Sequence, residues 1–233
     1  MIMKRIGIIA AMNEEMQEIK NIMTDIKPKH VFNLTFFKGK INSTDCILVE
    51  SGVGKVNAAR TTQIMMDYFK IDYIINVGSA GATSDKLNIT DVVIADKLCQ
   101  YDFDVSPIGF KKGEIMDLGL YFYSEKSLLQ KCQSTMQSLD IDNSFKVHVG
   151  TVASADMFCT DPNIAKSVND NYGALCVEME GASIAQVCTL NNTPFIAIRS
   201  ISDSPNGNNN LDFNEYLSIS SKRCASFLKE LLD

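Results

Sequence analysis

The strongest constraint on the fold is an alternation of short apolar runs with amphipathic segments along the 233-residue chain. Several runs are apolar at nearly every position, which predicts strands buried on both faces. The predicted strands are Ile6 to Ala10, Ile47 to Val49, Tyr73 to Val77, Val92 to Ala95, Val147 to Val152, Leu175 to Val177 and Phe195 to Ile198. The predicted helices are Asn13 to Met23, Lys55 to Phe69, Glu125 to Leu139, Pro162 to Asn171, Gly181 to Leu190 and Asn214 to Leu232. This order predicts an α/β fold with a largely parallel sheet.

An antiparallel element is predicted near the N-terminus. Val31 to Lys38 and Asp45 to Glu50 flank the polar turn Asn42-Ser43-Thr44, a pattern typical of a hairpin, so the sheet is expected to be mixed. Hydrophobic residues make up 45% of the chain and charged residues 21%, which is ordinary for a globular protein. We expect one domain over residues 1–233, large enough to need no disulfide or structural metal.

Charge and cysteine usage exclude several classes of protein. The net charge is −6 and no Lys/Arg cluster is present, which argues against nucleic-acid or membrane partners. The seven Cys are scattered without a C-x-x-C pair, which indicates reduced thiols in the cytoplasm. The two His have no zinc-ligand spacing, no apolar run approaches the ~20 residues of a membrane helix, and no cleavable leader is apparent. A small, weakly charged ligand fits best.

Glycines, hydroxyls and acidic residues follow the predicted strands. Ligands in open α/β sheets bind beyond the carboxyl ends of the parallel strands, so these segments are expected to meet at one edge. They are Ala11 to Glu15, Ser51 to Lys55, Gly78 to Gly81, Ser154 to Phe158, Glu178 to Gly181 and Arg199 to Asp203. The segments at 51–55 and 78–81 are predicted to be glycine-rich turns from strand to helix, but neither matches a nucleotide-phosphate motif.

Several of these residues also have simple structural explanations. Glu14 and Glu15 suit the first turn of a helix, Ser202-Asp203 suits a cap or turn, and His148 inside a strand suits a structural role. Two carboxylates at the end of an apolar strand, Glu178 and Glu180, are expensive to bury unless they are bonded or used. Since no G-x-S-x-G motif is present, paired carboxylates favour water attack on an acetal-like carbon, as in N-glycosidic cleavage.

The chain resembles the 5′-methylthioadenosine/S-adenosylhomocysteine nucleosidases of the nucleoside phosphorylase superfamily almost end to end. The resemblance rests on GIIAAMNEE at 7–15, SGVGKVNAA at 51–59, NVGSAG at 76–81, VEMEG at 177–181 and RSISD at 199–203. It implies a single-domain three-layer sandwich with a mixed, twisted sheet surrounded by helices. It also implies a homodimer that cleaves adenine from thioether nucleosides without a cofactor, and hence a role in methionine salvage.

The resemblance implies a role for each matching residue. Glu15 would activate water, and Asp203, held by Ser202, would protonate adenine N7. Glu180 would bind the ribose hydroxyls with Met179 packed on the sugar, while Glu178 and Arg199 complete the polar pocket. The loop from Gly78 to Gly81, with Ser79 and Ala80, would line the sugar side. Phe158 would stack on adenine, with backbone groups of Cys159 and Val177 at the base edge. Met12, Val53 and Phe213 would form the wall for the 5′-alkylthio group.

Missing arginines favour a hydrolase over a phosphorylase. Phosphorylases of this superfamily place Arg in the first strand-end loop and beside the G-S-x-G turn, where this chain has Met12 to Glu15 and Asn76. A phosphate dianion needs such cationic groups. Cys159 replaces a common Ile, and YDFDVSPIGF at 101–110 lacks a His that is common in the family near the partner subunit.

Four alternatives stay open. A nucleosidase acting on futalosine or 5′-deoxyadenosine would differ only in its substrate, and a phosphorylase would require phosphate. A non-catalytic nucleoside-binding protein would not need both Glu15 and Asp203. A flavodoxin-like module would need a phosphate-cradling loop that the chain lacks.

Overall fold

The computed structural model describes residues 5–139, 145–203 and 213–233, apart from the side chains of residues 213–215 and 217. Its strands are β1 (Arg5–Ala10), β2 (Thr24–Val31), β3 (Leu34–Ile41), β4 (Thr44–Glu50), β5 (Tyr73–Ala82), β6 (Val92–Gln100), β7 (Phe122–Tyr123), β8 (Val147–Ser154), β9 (Ala174–Glu178) and β10 (Phe195–Asp203). Its helices are α1 (Asn13–Asn21), α2 (Lys55–Tyr68), α3 (Lys126–Leu139), α4 (Pro162–Tyr172), α5 (Gly181–Leu190) and α6 (Phe213–Leu231), with a 3₁₀ turn at Ser106–Ile108. All six predicted helices are confirmed to within about two residues.

The sheet is mixed, as predicted, but it is not largely parallel. Parallel pairs join β1 to β4 and β5, β5 to β10, and β8 to β6 and β9. The pairs β2–β3, β3–β4, β5–β9, β6–β7 and β6–β10 are antiparallel. Because β5 bonds to both β9 and β10, the five strands β5, β10, β6, β8 and β9 close into a ring. The strands β1, β4, β3 and β2 extend from that ring.

Apolar side chains fill both faces of the sheet. Helices α1, α3 and α6 cover one face, where Met16, Leu128 and Phe227 belong to one core cluster with residues of β1, β5, β6 and β10. Helices α2 and α5 cover the other face through residues such as Met65 and Ile184. These layers confirm the expected three-layer α/β architecture. Within the described part of the chain, no helix is both long and apolar enough to cross a membrane.

Two strand predictions at the N-terminal side are corrected. The segment from Val31 to Lys38 is not one strand, because Phe32, at a φ of 53°, turns the chain between β2 and β3. Strand β2 was not predicted, since its exposed Lys, Asp and Pro residues give no apolar pattern and it lies at the sheet edge. The predicted hairpin does form between β3 and β4 at Asn42.

The prediction of a turn at Gly78 to Gly81 is wrong. This segment is the second half of β5, which runs ten residues and leads into β6 rather than into a helix. In its first half β5 pairs with β1, and at Gly81 and Ala82 it pairs with β9 instead. Glycines allow such a strand to bend without a side chain to accommodate. Strand β10 likewise continues through Asp203 instead of ending at Ile198.

Candidate active site

A cavity that is open at one side lies at the carboxyl ends of β1, β4, β5, β8, β9 and β10. This is the edge at which α/β sheets bind small molecules. The predicted site residues that line it are Met12, Glu15, Val53, Ser79, Ala80, Gly81, Phe158, Cys159, Val177, Glu178, Met179, Glu180, Arg199, Ser202 and Asp203. The side chain of Phe213, the remaining predicted site residue, lies outside the described residues.

Glu15 is a buried carboxylate that accepts four hydrogen bonds. It is the third residue of α1 and is 6% exposed. Its Oε2 accepts the backbone N–H groups of Ala11 and Met12 at 3.1 and 3.2 Å. Its Oε1 accepts the Ser79 N–H at 3.0 Å and the Ser79 hydroxyl at 3.3 Å. Burial raises the pKa of Glu15 above its usual range, and these N–H groups and the Arg199 charge only partly offset that rise.

The two glycines of the NVGSAG motif let the two proposed catalytic carboxyl groups approach β5. A Cβ at Gly78 would lie 3.1 Å from Glu15 Oε1, and one at Gly81 would lie 2.7 Å from Asp203 Oδ2. The second distance is too short for real atoms, so any side chain at Gly81 would displace Asp203. The motif was recognised from its glycines, and the structure gives the physical reason for both.

Asp203 is aimed by a bulge at the end of β10. The pairing of β10 with β5 shifts register between Ile201 and Asp203, which leaves Ser202 as the extra residue. The Ser202 hydroxyl donates to Asp203 Oδ1 at 2.5 Å, and its oxygen also lies 3.2 Å from the carbonyl of Ala80. Ser202 can therefore donate to either oxygen, and when it donates to the Ala80 carbonyl its own oxygen can accept a hydrogen bond from Asp203.

Glu178 and Arg199 form a buried ion pair at the floor of the cavity. The Arg199 side chain donates to Glu178 Oε2 at 2.6 Å and also to the side-chain oxygen of Asn76. The same Glu178 oxygen accepts the backbone N–H groups of Glu180 and Gly181 at 2.9 and 2.7 Å. Burial opposes ionisation of Glu178, but Arg199 and the Ser154 hydroxyl lower its pKa below the usual range. These residues therefore shape the floor mainly through bonds to each other.

Among the described residues, one donor reaches the Glu180 carboxylate, so this side chain is held by fewer bonds than that of Glu178. Its Oε1 accepts the Gly54 N–H at 2.8 Å, which ties the β9–α5 junction to the loop before α2. Burial and the neighbouring Glu178 charge raise the pKa of Glu180 to about 7. Near neutral pH this carboxyl group can bind hydroxyls as an acceptor or exist in its neutral form.

An apolar rim surrounds these acids. Phe158 is 68% exposed and Val53 is 49% exposed, although both line the cavity. Large exposed aromatic and aliphatic groups at a cavity mouth indicate a surface that a ligand or partner covers. Met12 and Cys159 are only partly exposed and extend the apolar wall.

Lys55 connects the loops that carry the rim. It begins α2, as predicted, and its Nζ lies 2.6 Å from Oδ1 of Asp102, two residues after the end of β6. Asp102 Oδ2 accepts the Asp156 N–H at 2.9 Å, and Asp156 Oδ1 accepts the Lys55 N–H at 2.7 Å. This closed set of hydrogen bonds fixes the loops of Val53 and Phe158 relative to each other. Within it, the charge of Lys55 is paired with that of Asp102.

His148 has a structural role, as the sequence suggested. Its Nε2 lies 3.1 Å from Oδ2 of the buried Asp91, which also accepts N–H groups of Asn88 and Lys146. In residues 5–139, 145–203 and 213–233, no three His, Cys, Asp or Glu side chains are grouped to hold a metal ion. All seven Cys are free, and five of them are buried.

Four lining residues received no role of their own from the sequence: Ala11, Asn76, Val77 and Met157. Ala11 and Met157 do lie in segments that were expected to meet at this edge. Asn76 gave a usable signal, because a polar residue inside the apolar run from Tyr73 to Val77 needs a partner when it is buried. Its side chain donates to the Ile9 carbonyl at 3.0 Å and accepts from Arg199. Nothing in the local sequence distinguishes Met157 from a core methionine.

Comparison with known proteins places the chain in a family. The profile of the phosphorylase superfamily matches residues 5–233. A 5′-methylthioadenosine/S-adenosylhomocysteine nucleosidase of Marinomonas sp. is 33% identical over 231 residues, which cover 99% of both chains. The chain belongs to this nucleosidase family within the phosphorylase superfamily. The resemblance seen in the sequence is thereby confirmed.

Two solved structures share the family fold. The Streptococcus pneumoniae nucleosidase, solved with the transition-state inhibitor MT-ImmA, is 36% identical with a TM-score of 0.89, and 98% of each chain is covered. The futalosine hydrolase of Helicobacter pylori is 30% identical with a TM-score of 0.91, covering 99% of this chain and 98% of that one. Since two activities occur on this one fold, overall similarity does not choose the nucleoside.

Proposed function

We propose that this chain hydrolyses the N-glycosidic bond of 5′-methylthioadenosine and S-adenosylhomocysteine and releases adenine. The observation that carries the proposal is the charge of the cavity. Among the described lining residues, four are carboxyl groups and Arg199 is the one cation, already paired with Glu178. A cavity of that charge repels a phosphate dianion and suits water as the nucleophile.

The proposed reaction involves two proton transfers, one from the attacking water and one to the leaving adenine. Glu15 takes a proton from water as the oxygen attacks the anomeric carbon, and Asp203 gives a proton to adenine N7, so that the base leaves neutral. Positive charge grows on the ribose as the bond breaks, and the nearby carboxylates stabilise it more than they stabilise the neutral substrate. The mobile hydroxyl of Ser202 supports this role of Asp203, because it can accept from the acid and then donate to the carboxylate.

The remaining assignments follow the geometry of the wall. Phe158 supports a stacked purine because its ring is exposed at the cavity, and Val53 with Met12 supports an apolar 5′ substituent. A 5′-deoxyadenosine would occupy the same space with one group fewer, so we include it among the substrates. With these substrates the protein would serve methionine salvage and the recycling of S-adenosylmethionine by-products.

We also propose that the protein is a homodimer. Phe158, Val53 and Met157 form an exposed apolar rim beside the cavity, and Val56, the second residue of α2, is 76% exposed. Burial against a second copy would remove this surface from water. Light scattering would give the mass directly, and a monomer at micromolar concentration would contradict the proposal.

The deciding experiment separates hydrolysis from phosphorolysis. Purified protein is mixed with 5′-methylthioadenosine in phosphate-free and in phosphate-containing buffer, and the products are separated by chromatography. We expect equal adenine release in both buffers, with free methylthioribose. Adenine release that requires phosphate would show a phosphorylase. No release, with turnover of futalosine instead, would support the second activity known on this fold.

Glu180→Gln tests ribose binding and the raised pKa together. The amide keeps an oxygen for the Gly54 N–H but loses the charge, so we expect kcat/KM to fall roughly 10–100-fold, as for a lost hydrogen bond to an ionised group. Because the folded-state pKa of about 7 exceeds the ordinary 4.5, the favourable contribution of this carboxyl group is complete below pH 4.5. That contribution is lost as the pH rises through 7.

The Tm of Glu180→Gln is therefore expected to exceed that of the wild type above pH 7 and to match it near pH 4.5. Thermal melts across this range provide the internal control, since the same two proteins are compared at both ends. A Tm difference that does not change with pH would contradict the raised pKa. An unchanged kcat/KM would contradict the role in ribose binding.

A further inference from the structure

A second cavity lies behind Glu15, on the side away from the proposed nucleoside pocket. It shares Glu15, Val77 and Gly78 with the first cavity. Its other walls come from β6, β10, α3 and α6 and include Ser200, Ser220, Ser221, Arg223 and Cys224. The enclosed space is large enough for about one ordered water molecule. Glu15 thus separates two spaces.

Ser200 and Ser221 line this second cavity, and the buried hydroxyl of Tyr216 lies next to it, beside Ser200 and Ser220. Ser200 is 8% exposed, Ser221 is 4% exposed and Tyr216 is 1% exposed. Among the described residues, none of their hydroxyl oxygens makes a hydrogen bond. The Tyr216 hydroxyl lies beside those of Ser200 and Ser220, but without hydrogen-bond geometry. Buried hydroxyls are rarely left unpaired, and several of them around one small space indicate an ordered water.

We propose that this cavity binds one water molecule through the hydroxyls of Ser200, Tyr216 and Ser221, and that this water solvates the Glu15 carboxylate from behind. The inference rests on the proposed role of Glu15 as general base. A hydrogen bond to the ionised form of a buried carboxyl group lowers its proton affinity. The three hydroxyls therefore act as positioning residues, which keep the base ionised at the pH where it works.

The direct hydrogen bonds to Glu15 leave its side toward the second cavity open to the proposed water. The four donors described above come from residues 11 and 12 before α1 and from Ser79 on β5, and none comes from α6. Cys224 adds no charge, because burial raises the pKa of its thiol to about 12. The Arg223 guanidinium is directed at the Thr90 carbonyl and the Phe145 ring. The other ionisable groups around Glu15 are Arg199 and Asp203 on β10, Glu178 on β9, Glu180 before α5, and Tyr216 on α6.

The test removes one hydroxyl at a time. Tyr216→Phe and Ser221→Ala delete a single oxygen each, and Ser218→Ala removes an exposed hydroxyl of the same helix as the matched control. We measure kcat/KM for adenine release against pH, together with Tm. If the water is present, its loss should move the acid limb of the profile up by about half a pH unit or more in both variants, with no rise in Tm. Ser218→Ala should leave the profile unchanged.

A dry cavity gives the opposite result. Deleting an unpaired buried hydroxyl then removes a polar group that was costly to bury, so Tm should rise while the pH profile stays unchanged. An unchanged acid limb in both variants overturns the proposal, and so does a high-resolution structure without a water within hydrogen-bond distance of these hydroxyls. If Glu15→Gln retains activity, the role of the base fails instead. The Tm values and the crystallographic water test the site independently of that role.

Discussion

Replacing Asp203 by Asn is expected to lower kcat for adenine release by roughly 10²–10⁴-fold, the range for losing one general acid or base. The amide can still donate a hydrogen bond to the purine, but it has no proton that it can transfer. KM should therefore change by only severalfold. Steady-state kinetics with 5′-methylthioadenosine measure both constants, and a selective loss of kcat is the signature of a proton donor.

The surroundings of Asp203 can accommodate this substitution. Asn has the same shape, so it fits between Ser202 and the bare Cα of Gly81. We expect the variant to fold, with a Tm close to that of the wild type. Asp170→Asn, an exposed carboxyl group paired with Lys166 on α4, serves as the control and should keep full activity. A kcat within tenfold of the wild type for Asp203→Asn would remove Asp203 from the proposed mechanism.

The second large effect is expected for Glu15→Gln, again roughly 10²–10⁴-fold in kcat. Gln cannot accept the proton of the attacking water. Because burial raises the pKa of Glu15, its ionised form is lost as the pH falls through a value above the ordinary 4.5. The acid limb of kcat/KM in the wild type should accordingly lie above pH 4.5, and pH profiles of the two proteins measure this.

Glu15→Gln also has a structural cost that must be separated from the chemical one. All four neighbours of the carboxylate are donors, so the amide nitrogen of Gln would face either the Ser79 groups or the N–H groups of residues 11 and 12. We expect a lower Tm for this reason. Glu15→Ala removes the clash together with the base and should be equally inactive. Glu14→Gln, at the exposed neighbouring position, should behave as the wild type.

Near wild-type turnover in either Glu15 variant would contradict the assignment of the base. If Glu15→Gln is inactive while Glu15→Ala is fully active, the assignment also fails, and the loss in Glu15→Gln is explained by the amide clash. The two variants together therefore distinguish lost chemistry from lost geometry.

The sequence by itself determined the α/β class and the helices of this protein. Apolar runs and helical periodicity are local signals, and they located α5 at Gly181–Leu190 to the residue. Five short motifs identified the family and contain thirteen of the predicted residues that line the cavity, while Phe158 and Cys159 were predicted from the resemblance outside these motifs. Strand β2 escaped prediction because an exposed edge strand needs no apolar pattern, and the parallel content of the sheet was overestimated because strand partners are distant in the chain.

Only the tertiary structure decided the surroundings, and hence the acidity, of each site residue. Glu178 and Glu180 are two residues apart, yet Arg199 lowers the pKa of Glu178, whereas burial and the Glu178 charge raise the pKa of Glu180. The continuation of β5 through Gly81 and the bulge at Ser202 also depend on pairing between strands more than a hundred residues apart. Acidity, strand pairing and the buried hydroxyls behind Glu15 arise from neighbours in space. The linear sequence contains these residues but does not show which of them are neighbours.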